Sequence, residues 1–198
     1  KADGTLWAWG RDSIGSLGIN NQGVKRSSPV QIAGTTWSTD PKHLSNRGAV
    51  LASAIKTDGT LWSWGYGTKG RLGQGNNNKY SSPVQIPATT WAVTSSTYNG
   101  QFAIKTDGTL WSWGWNDNGS NSGHLGQNNK TNYSSPRQVG SETTWSNVTA
   151  HDDCVLASKT DGTLWSWGTN GQAALGINQP VNSHRSSPTQ IPGTTWSS

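Results

Sequence analysis

A ten-residue segment recurs almost unchanged along this chain and constrains its fold more than any other feature. The sequence "KTDGTLWSWG" stands at 56–65, 105–114 and 159–168, and the chain opens on "KADGTLWAWG" at 1–10. A period of about 53 residues is typical of repeat proteins, in which each unit is a small motif that packs against its neighbours. We therefore interpret the chain as a single array of four units, approximately 1–37, 38–91, 92–145 and 146–198.

The repeated segment predicts a β-hairpin. An Asp-Gly pair separates a short apolar stretch, such as "FAIKT", from "TLWSWG", which is a strong signal for two strands joined by a two-residue turn. In the second strand Trp62 and Trp64 fall on one face, and Leu61 and Ser63 fall on the other. The predicted turn residues are Asp3, Gly4, Asp58, Gly59, Asp107, Gly108, Asp161 and Gly162.

The rest of each unit also consists of short extended segments. A Gly-rich turn ends in Leu-Gly and is followed by an Asn-rich loop, an "SSP" segment and a "TTW" segment. Proline in "SSP" fits the first residue of a strand or the outer edge of a sheet, where its missing N–H costs little. Three or four short strands per unit predict an all-β fold. A radial β-propeller satisfies the pattern, because each small sheet buries both faces against its neighbours.

These motifs resemble the repeat of the regulator of chromosome condensation family. The resemblance rests on "DGTLWSWG", the turn ending in "LG", "SSP" followed by "QI", and "TTW", and it covers the whole chain. Highly regular arrays of this kind look like those of prokaryotic and phage proteins. The resemblance implies a seven-bladed β-propeller, of which the four units would form part. We therefore expect either an excerpt of a longer chain with flanking repeats or a homo-oligomer.

The spacing of the motifs indicates that the array does not close on itself. Fifteen residues lie between Trp145 and Asp161, whereas only four separate Trp196 from Asp3 when the sequence is read circularly. We therefore expect one inner strand to be absent from the array. A strand from a neighbouring chain could complete the sheet, as in β-augmentation.

Thirteen tryptophans dominate the apolar composition, and all but Trp115 occupy three equivalent positions per unit. We interpret the equivalent positions as the packing core between sheets. The alternative is an exposed aromatic platform for sugars or bases. The predicted core residues are Trp7, Trp9, Trp37, Trp62, Trp64, Trp91, Trp111, Trp113, Trp145, Trp165, Trp167 and Trp196.

The loops that differ between units are the candidate binding sites. Trp115 opens the only lengthened turn, and His124 ends the insert "WNDNGSNSGH". The loops before "SSP" carry basic, aromatic and amide side chains, which could bind glycans, acidic proteins or phosphates. The alternative is that polar loops only keep a β-rich surface soluble. The candidates in these loops are Arg26, Lys79, Tyr80, Lys130, Tyr133, His184 and Arg185.

Enzyme signatures are missing from the sequence. It has no phosphate-binding glycine loop, nucleophile elbow or paired-histidine motif. The cluster "HDD" at 151–153 alternates across a strand, so its side chains cannot all face one metal ion. We therefore expect no catalytic residue, cofactor or metal. The formal charge is +5 with scattered basic residues, so no specific nucleic-acid site is expected, and no apolar stretch is long enough to span a membrane.

These observations favour a non-enzymatic interaction or structural module. Our leading hypothesis is a segment of a larger bacterial or viral surface protein that contacts proteins or glycans through its loop rims, at a cell surface, outside the cell or on a virion. Two alternatives remain open. The first is a regulatory propeller acting on a small GTPase or chromatin, an activity that the family resemblance implies. The second is an oligomeric coat component completed by strand exchange.

Overall fold

Short strands and glycine-containing turns alternate along the whole molecule. The computed structural model describes residues 1–48, 50–117 and 123–196. No helix among these residues is long and apolar enough to cross a membrane. The strands are β1 (Leu6–Asp12), β2 (Val24–Ile32), β3 (Leu44–Arg47), β4 (Leu51–Ile55), β5 (Leu61–Gly65), β6 (Tyr80–Gln85), β7 (Trp91–Ser96), β8 (Gly100–Lys105), β9 (Leu110–Gly114), β10 (Tyr133–Gln138), β11 (Trp145–His151), β12 (Cys154–Lys159), β13 (Leu164–Gly168) and β14 (Arg185–Ile191).

The strands form antiparallel meanders, one per repeat. Sheet 1 contains β1 and β2, sheet 2 contains β3 to β6, sheet 3 contains β7 to β10, and sheet 4 contains β11 to β14. The first strands β3, β7 and β11 contact one another across neighbouring sheets, so they lie nearest the common axis. This arrangement confirms the prediction of an all-β propeller with sheets as blades.

The repeated segment is conserved between units because its side chains bond to one another. The Oδ1 atom of Asp58 accepts hydrogen bonds from the backbone N–H of Thr60 at 2.9 Å and from its hydroxyl at 2.6 Å. The same hydroxyl accepts from Nε1 of Trp62 at 2.8 Å, and Nζ of Lys56 lies 4.1 Å from the centre of that indole. The other three units repeat the network. The threonine hydrogen bonds lower the pKa of each of these four aspartates.

The Asp-Gly turns join the hairpins as predicted, but they are one residue longer than expected. The backbone N–H of Lys56 donates to the carbonyl of Thr60 at 2.9 Å, so three residues lie between the paired positions. Of the three, only Gly59 has a positive φ, at 77°. The turn is therefore a three-residue loop with glycine in the left-handed position, in which aspartate keeps an ordinary conformation.

Neighbouring sheets interlock through the second tryptophan of the repeated segment. Nε1 of Trp64 in sheet 2 donates to the backbone carbonyl of Ser16 beside sheet 1 at 3.0 Å. A Cβ atom added to Gly18 would lie 2.7 Å from the same indole nitrogen. Trp113 and Trp167 meet the glycine of the preceding Leu-Gly turn in the same way. The Leu-Gly motif is therefore the socket for an indole of the next sheet.

The predicted tryptophan core departs from the structure at two positions. Trp9 is 62% exposed and Trp196 is 45% exposed. Within the described residues, no sheet precedes sheet 1 and none follows sheet 4, so neither indole has a neighbouring sheet against it. The other repeat tryptophans are buried (Trp37, Trp64, Trp91, Trp113, Trp145, Trp167) or half-buried (Trp7, Trp62, Trp111, Trp165).

The number of inner strands also differs from the prediction. Sheet 1 contains two strands among the described residues, whereas each other sheet contains four. The prediction of one absent inner strand was wrong, because the segment from Trp145 to Asp161 forms both β11 and β12. The additional residues of the second unit include a 3₁₀ turn at Pro41–His43, immediately before β3.

Candidate interaction site

The differences between units are concentrated at one end of the sheets. In each meander the Asp-Gly turns lie at one end, and the turns that join the first strand to the second and the third to the fourth lie at the other. We call the second end the variable rim. It includes residues 66–79, 97–99, 115–117, 123–132 and 152–153.

A buried arginine organises the variable rim. Arg71 is only 2% exposed, and three aromatic rings surround its guanidinium. The Cζ atom lies 5.4 Å from the ring centre of Tyr66, 5.6 Å from that of Tyr98 and 5.1 Å from that of Trp115. We call these four residues the aromatic cluster. Each separation is within the range of a cation–π interaction, so the cation is stabilised although burial lowers the pKa of Arg71.

Hydrogen bonds from Arg71 connect loops of different sheets. Nη1 donates to the carbonyl and hydroxyl of Thr68 at 3.0 and 2.8 Å, within its own loop. Nε donates to the carbonyl of Tyr98 at 3.1 Å, and Nη2 donates to Oδ1 of Asn99 at 3.2 Å, both in sheet 3. Nδ2 of Asn99 then donates to Oδ1 of Asp153 at 3.0 Å in sheet 4. The Arg71 guanidinium thus links sheets 2 and 3 at the rim, and Asn99 extends the network to sheet 4.

The aromatic cluster presents rings to the outside, and two lysines beside it add ammonium groups. Tyr98 is 50% exposed, and Tyr66 and Trp115 are half-buried. Nζ of Lys69 lies 6.0 Å from the ring of Trp115, and Nζ of Lys79 lies 5.0 Å from the ring of Tyr66. A hydrogen bond with the Thr68 side chain lowers the pKa of Tyr66, and the nearby positive charges lower it further. The surface can therefore bind apolar and acidic groups together.

The comparisons with known proteins agree with this architecture. Residues 58–96 match the model of the regulator of chromosome condensation (RCC1) repeat. The chain is 33% identical over 86 residues to the regulator of chromosome condensation of Xenopus laevis. The aligned segment covers 43% of this chain and 19% of the Xenopus protein. It is 29% identical over 180 residues to the E3 ubiquitin-protein ligase HERC2 of Homo sapiens. This aligned segment covers 88% of this chain and 4% of HERC2.

Residues 58–96 of the chain are therefore an RCC1 repeat, and the chain is similar in sequence to proteins that contain this repeat. Its fold is that of Prp20p from Saccharomyces cerevisiae, with a TM-score of 0.79 at 18% identity, over 96% of this chain and 47% of the yeast chain. The RCC1-repeat chain thus spans about half of that solved structure and less than a fifth of the two sequence relatives.

The histidine predicted in the rim of this RCC1-repeat chain lies beneath the surface. His124 is fully buried, so it does not contact solvent as a loop residue would. Its Nδ1 atom is 3.9 Å from Oδ1 of Asp153, and neither ring nitrogen has a hydrogen-bond partner among the described residues. Burial lowers the pKa of His124 to about 4, although Asp153 acts in the opposite direction. The imidazole is therefore neutral near pH 7.

The buried imidazole predicts a loss of stability in mild acid. Because the pKa of His124 is about 4 in the folded chain and about 6.5 when unfolded, the unfolded chain binds the proton first as the pH falls. We expect unfolding free energy to fall by about 2 kcal/mol between pH 7.5 and pH 5. The pKa values of the turn aspartates are lowered from 3.8, so protonation of these groups reduces the unfolding free energy only below pH 5. Urea unfolding of His124→Gln should lack the decrease, and an equal decrease in the variant would contradict this assignment.

A second polar contact crosses the rim of the RCC1-repeat chain. Arg47, at the end of β3, forms an ion pair with Asp152, which lies in the turn between β11 and β12. Nδ1 of His151 is 3.4 Å from Oδ2 of the same carboxylate. Asp153 turns away and binds Asn99. The "HDD" cluster therefore links sheets, and among the described residues no group of three or more His, Cys, Asp or Glu side chains could hold a metal ion.

The other predicted contact residues occupy equivalent places in the four sheets. Each residue before "SSP" faces the last glycine of the repeated segment across the strand pair: Arg26, Tyr80, Tyr133 and Arg185 face Gly10, Gly65, Gly114 and Gly168. The hydroxyls of Tyr80 and Tyr133 accept from Asn76 and Asn129 at 3.1 and 2.9 Å. Nδ1 of His184 accepts from the N–H of Asn170 at 3.0 Å. The side chains of Tyr80, Tyr133 and His184 therefore support their own loops, and Lys130 is exposed.

The structure therefore joins two sequence candidates with residues that sequence reasoning missed. Trp115 and Lys79 lie in or beside the aromatic cluster, together with the unpredicted Arg71, Tyr98 and Tyr66. A usable signal was the residue before Leu-Gly, where the four units have Ser16, Arg71, His124 and Ala174. Because this residue differs between units while the motifs around it do not, it indicates where the side chains of the rim differ from one unit to the next.

Proposed function

We propose that this chain is a non-enzymatic binding module that recognises a protein through the aromatic cluster and the flanking Lys69 and Lys79. The observation that carries the proposal is a buried guanidinium under three rings, hydrogen-bonded to loops of sheets 2 and 3 and connected through Asn99 to sheet 4. Binding hot spots are enriched in tyrosine, tryptophan and arginine, and rigid side chains lose little entropy when a partner binds. The rim supplies these residue types in a fixed arrangement.

The charges beside the rings select the chemistry of the partner. An apolar or aromatic partner side chain would pack on Tyr98, while a carboxylate would lie near Lys69 or Lys79. All three guanidinium nitrogens of Arg71 already donate to protein acceptors, so it acts as a support and not as the main anion contact. The similarity to Prp20p, whose structure was described with its binding to Gsp1p and histones, supports a protein partner.

Our proposal extends to the wider setting of the module. The near-identity of the repeated motifs in the four units, such as "DGTLWSWG", supports a segment of a larger bacterial or viral surface protein. Polar loops on such a surface would also suit a glycan. We place protein first, because the exposed ring of Tyr98 stands beside ammonium groups that favour carboxylates.

Replacing Tyr98 by alanine should weaken binding at least tenfold. The probe is an array of 12-residue peptides that contain aromatic and acidic residues, with matched peptides in which Asn and Gln replace Asp and Glu. We expect the unaltered chain to prefer the acidic peptides and to lose affinity as salt is added. Tyr98 is exposed, so its truncation should leave the fold intact, which circular dichroism can check.

Trp9→Ala is the matched control, because it removes an exposed aromatic ring from a different part of the molecule. It should bind the acidic peptides as well as the unaltered chain does. Equal binding by Tyr98→Ala, or equal binding of acidic and amide peptides, would contradict the proposal. A glycan array run in parallel identifies the sugar alternative, since binding there alone would replace the protein partner.

A regulatory role on a small GTPase is the remaining alternative. The likeness to Prp20p at 18% identity shows the fold and carries no activity with it. Acceleration of nucleotide exchange by sub-stoichiometric amounts of the chain would establish that role in place of simple binding.

A further inference from the structure

A cavity of about 420 Å³ lies between sheets 3 and 4, and none of its lining residues belongs to the aromatic cluster. Its walls are the connection from β10 to β11, the loop segment 126–128 and two residues of β14, and the indoles of Trp145 and Trp165 also line it. Sheets 3 and 4 both have four strands, so the cavity does not depend on an unpaired edge. Its volume is within the range of small-ligand pockets, about 300 to 1,000 Å³.

The connection from β10 to β11 is one residue longer than its equivalents. Five residues separate Val139 from Trp145, whereas four residues occupy the same connection in each of the other units. The longer connection contains Glu142, and the shorter ones contain no acidic residue. Glu142 lines the cavity, and its side chain is 50% exposed. This junction therefore has a carboxylate that the equivalent connections lack.

The carboxylate of Glu142 is paired with the lysine of the repeated segment. Its Oε2 atom lies 2.6 Å from Nζ of Lys159, whose side chain is only 6% exposed. The same Nζ lies 3.7 Å from the ring centre of Trp165. Lys56 and Lys105 hold the equivalent positions, are half-buried and form no ion pair among the described residues. Because Glu142 and Lys159 neutralise each other, together they add no net charge to the cavity.

The indole nitrogen of Trp145 is an unused donor at this cavity. It is buried and has no hydrogen-bond partner among the described residues. In the second unit the equivalent Nε1 of Trp91 donates to the carbonyl of Ala88, in the shorter connection, at 3.3 Å. Nε1 of Trp37 also lacks a partner, but Gly34 covers it so closely that an added Cβ atom would lie 3.3 Å away. Trp145 and Trp91 make the same ring contacts, so Nε1 of Trp145 faces the longer connection and the cavity.

Gln127 adds a hydrogen-bond acceptor to the lining. Its Nε2 atom already donates to the hydroxyl of Ser112 at 3.0 Å and to the carbonyl of Arg137 at 3.1 Å. The amide is therefore held in place, and its oxygen is left to accept a hydrogen bond.

We propose that this cavity binds a neutral saccharide, with one sugar ring against Trp165 and its hydroxyls bonded to Trp145 and Glu142. A hydroxyl both donates and accepts, so it suits a cavity with an indole donor and a carboxylate acceptor. The C–H groups of a sugar ring can pack on the half-buried indole. An anionic ligand would meet Glu142 and a cationic one would meet Lys159, which disfavours both. The site is separate from the aromatic cluster, so it does not depend on the function proposed for the rim.

The test follows the indole N–H resonances of the isotope-labelled 198-residue chain by NMR while one sugar at a time is added. The neutral probes are glucose, galactose, mannose and N-acetylglucosamine, and the charged probes are N-acetylneuraminic acid and sulfated galactose. The resonance of Trp145 is assigned from its absence in Trp145→Phe. We expect at least one neutral probe to shift this resonance saturably and neither charged probe to do so. This measurement needs no variant that binds sugar.

Glu142→Gln should weaken binding of the neutral probe about tenfold, because it removes the charged acceptor. The variant also leaves Lys159 without its carboxylate, as Lys105 is, so the charged probes should gain affinity. Asp152→Asn is the matched control, since it removes an exposed carboxylate from another ion pair, with Arg47, and should leave sugar binding unchanged. Thermal unfolding verifies that both variants fold.

A titration in which no neutral probe shifts the Trp145 resonance saturably would exclude the site. Charged probes that bind the unaltered chain as tightly as neutral ones, or equal losses in Glu142→Gln and Asp152→Asn, would also contradict the inference. Tyr98→Ala should bind the sugar as the unaltered chain does. Loss of sugar binding in that variant would place the sugar at the rim and overturn the assignment to this cavity.

Discussion

Replacing Trp113 by alanine is expected to lower the free energy of unfolding by about 4 kcal/mol. The indole is fully buried between sheets 2 and 3. It packs edge-on against Trp91, with ring centres 6.1 Å apart, and its nitrogen faces Gly73. Alanine would leave a large cavity that the closely spaced sheets cannot fill, so both the burial and the packing contacts are lost. Urea unfolding measures the change.

Trp9→Ala is the control for Trp113→Ala, because it removes a tryptophan from the same repeat position without removing packing between sheets. Trp9 occupies the same place in the repeat as Trp113, but it is 62% exposed. We expect it to cost less than about 1 kcal/mol, as is usual for surface positions. Similar losses in the two variants would mean that packing between sheets does not determine the stability of the indole positions.

Replacing Gly73 by alanine is the second change with a large expected effect. Gly73 has φ = 69°, and a Cβ atom would lie 2.7 Å from Nε1 and 3.0 Å from Cε2 of Trp113. Left-handed backbone costs a residue other than glycine about 1 to 2 kcal/mol, and overpacking adds about 1 to 3 kcal/mol. We expect a total loss of about 3 kcal/mol in urea unfolding, because the buried indole has no room to move.

Gly176→Ala separates the two contributions. Gly176 closes the Leu-Gly turn of the fourth unit with φ = 63°, but its nearest neighbour to an added Cβ is Cδ1 of Ile191 at 3.7 Å. The backbone strain is the same and the collision is absent. We therefore expect this variant to lose about 1 to 2 kcal/mol. If Gly73→Ala loses no more than Gly176→Ala, the socket for the indole has no energetic role.

Much of the fold could be predicted because its signals are local. The Asp-Gly pair fixes each hairpin, and alternation places Trp62 and Trp64 together, where both contact Trp37. The strand count near the axis was harder to predict. The 15 residues between Trp145 and Asp161 form two strands joined by a tight turn at Asp152 and Asp153, and their apolar pattern is too weak to show the break.

The site could be predicted only in part, because its members come from different units. Trp115 and Lys79 stand out as departures from the repeat, but nothing local links them to Tyr98. That link depends on the angle between neighbouring sheets. His124 was predicted as a contact residue of the rim but is buried. Its backbone carbonyl accepts a hydrogen bond from Nε1 of Trp167 at 2.9 Å, and this contact holds the residue in the interior. A loop position in the sequence is thus a buried position in the array.

The buried partners of Arg71 and His124 have a consequence for how such an array changes during evolution. The Asp-Thr-Trp networks are the same in every hairpin, so at that end one unit could be exchanged for another by recombination. At the opposite end, Arg71 meets Asn99 and His124 meets Asp153 across successive sheets. Reordering the units would separate the Arg71 cation from its acceptor Asn99 and the buried His124 from its neighbour Asp153, and these two junctions therefore favour a fixed order of units.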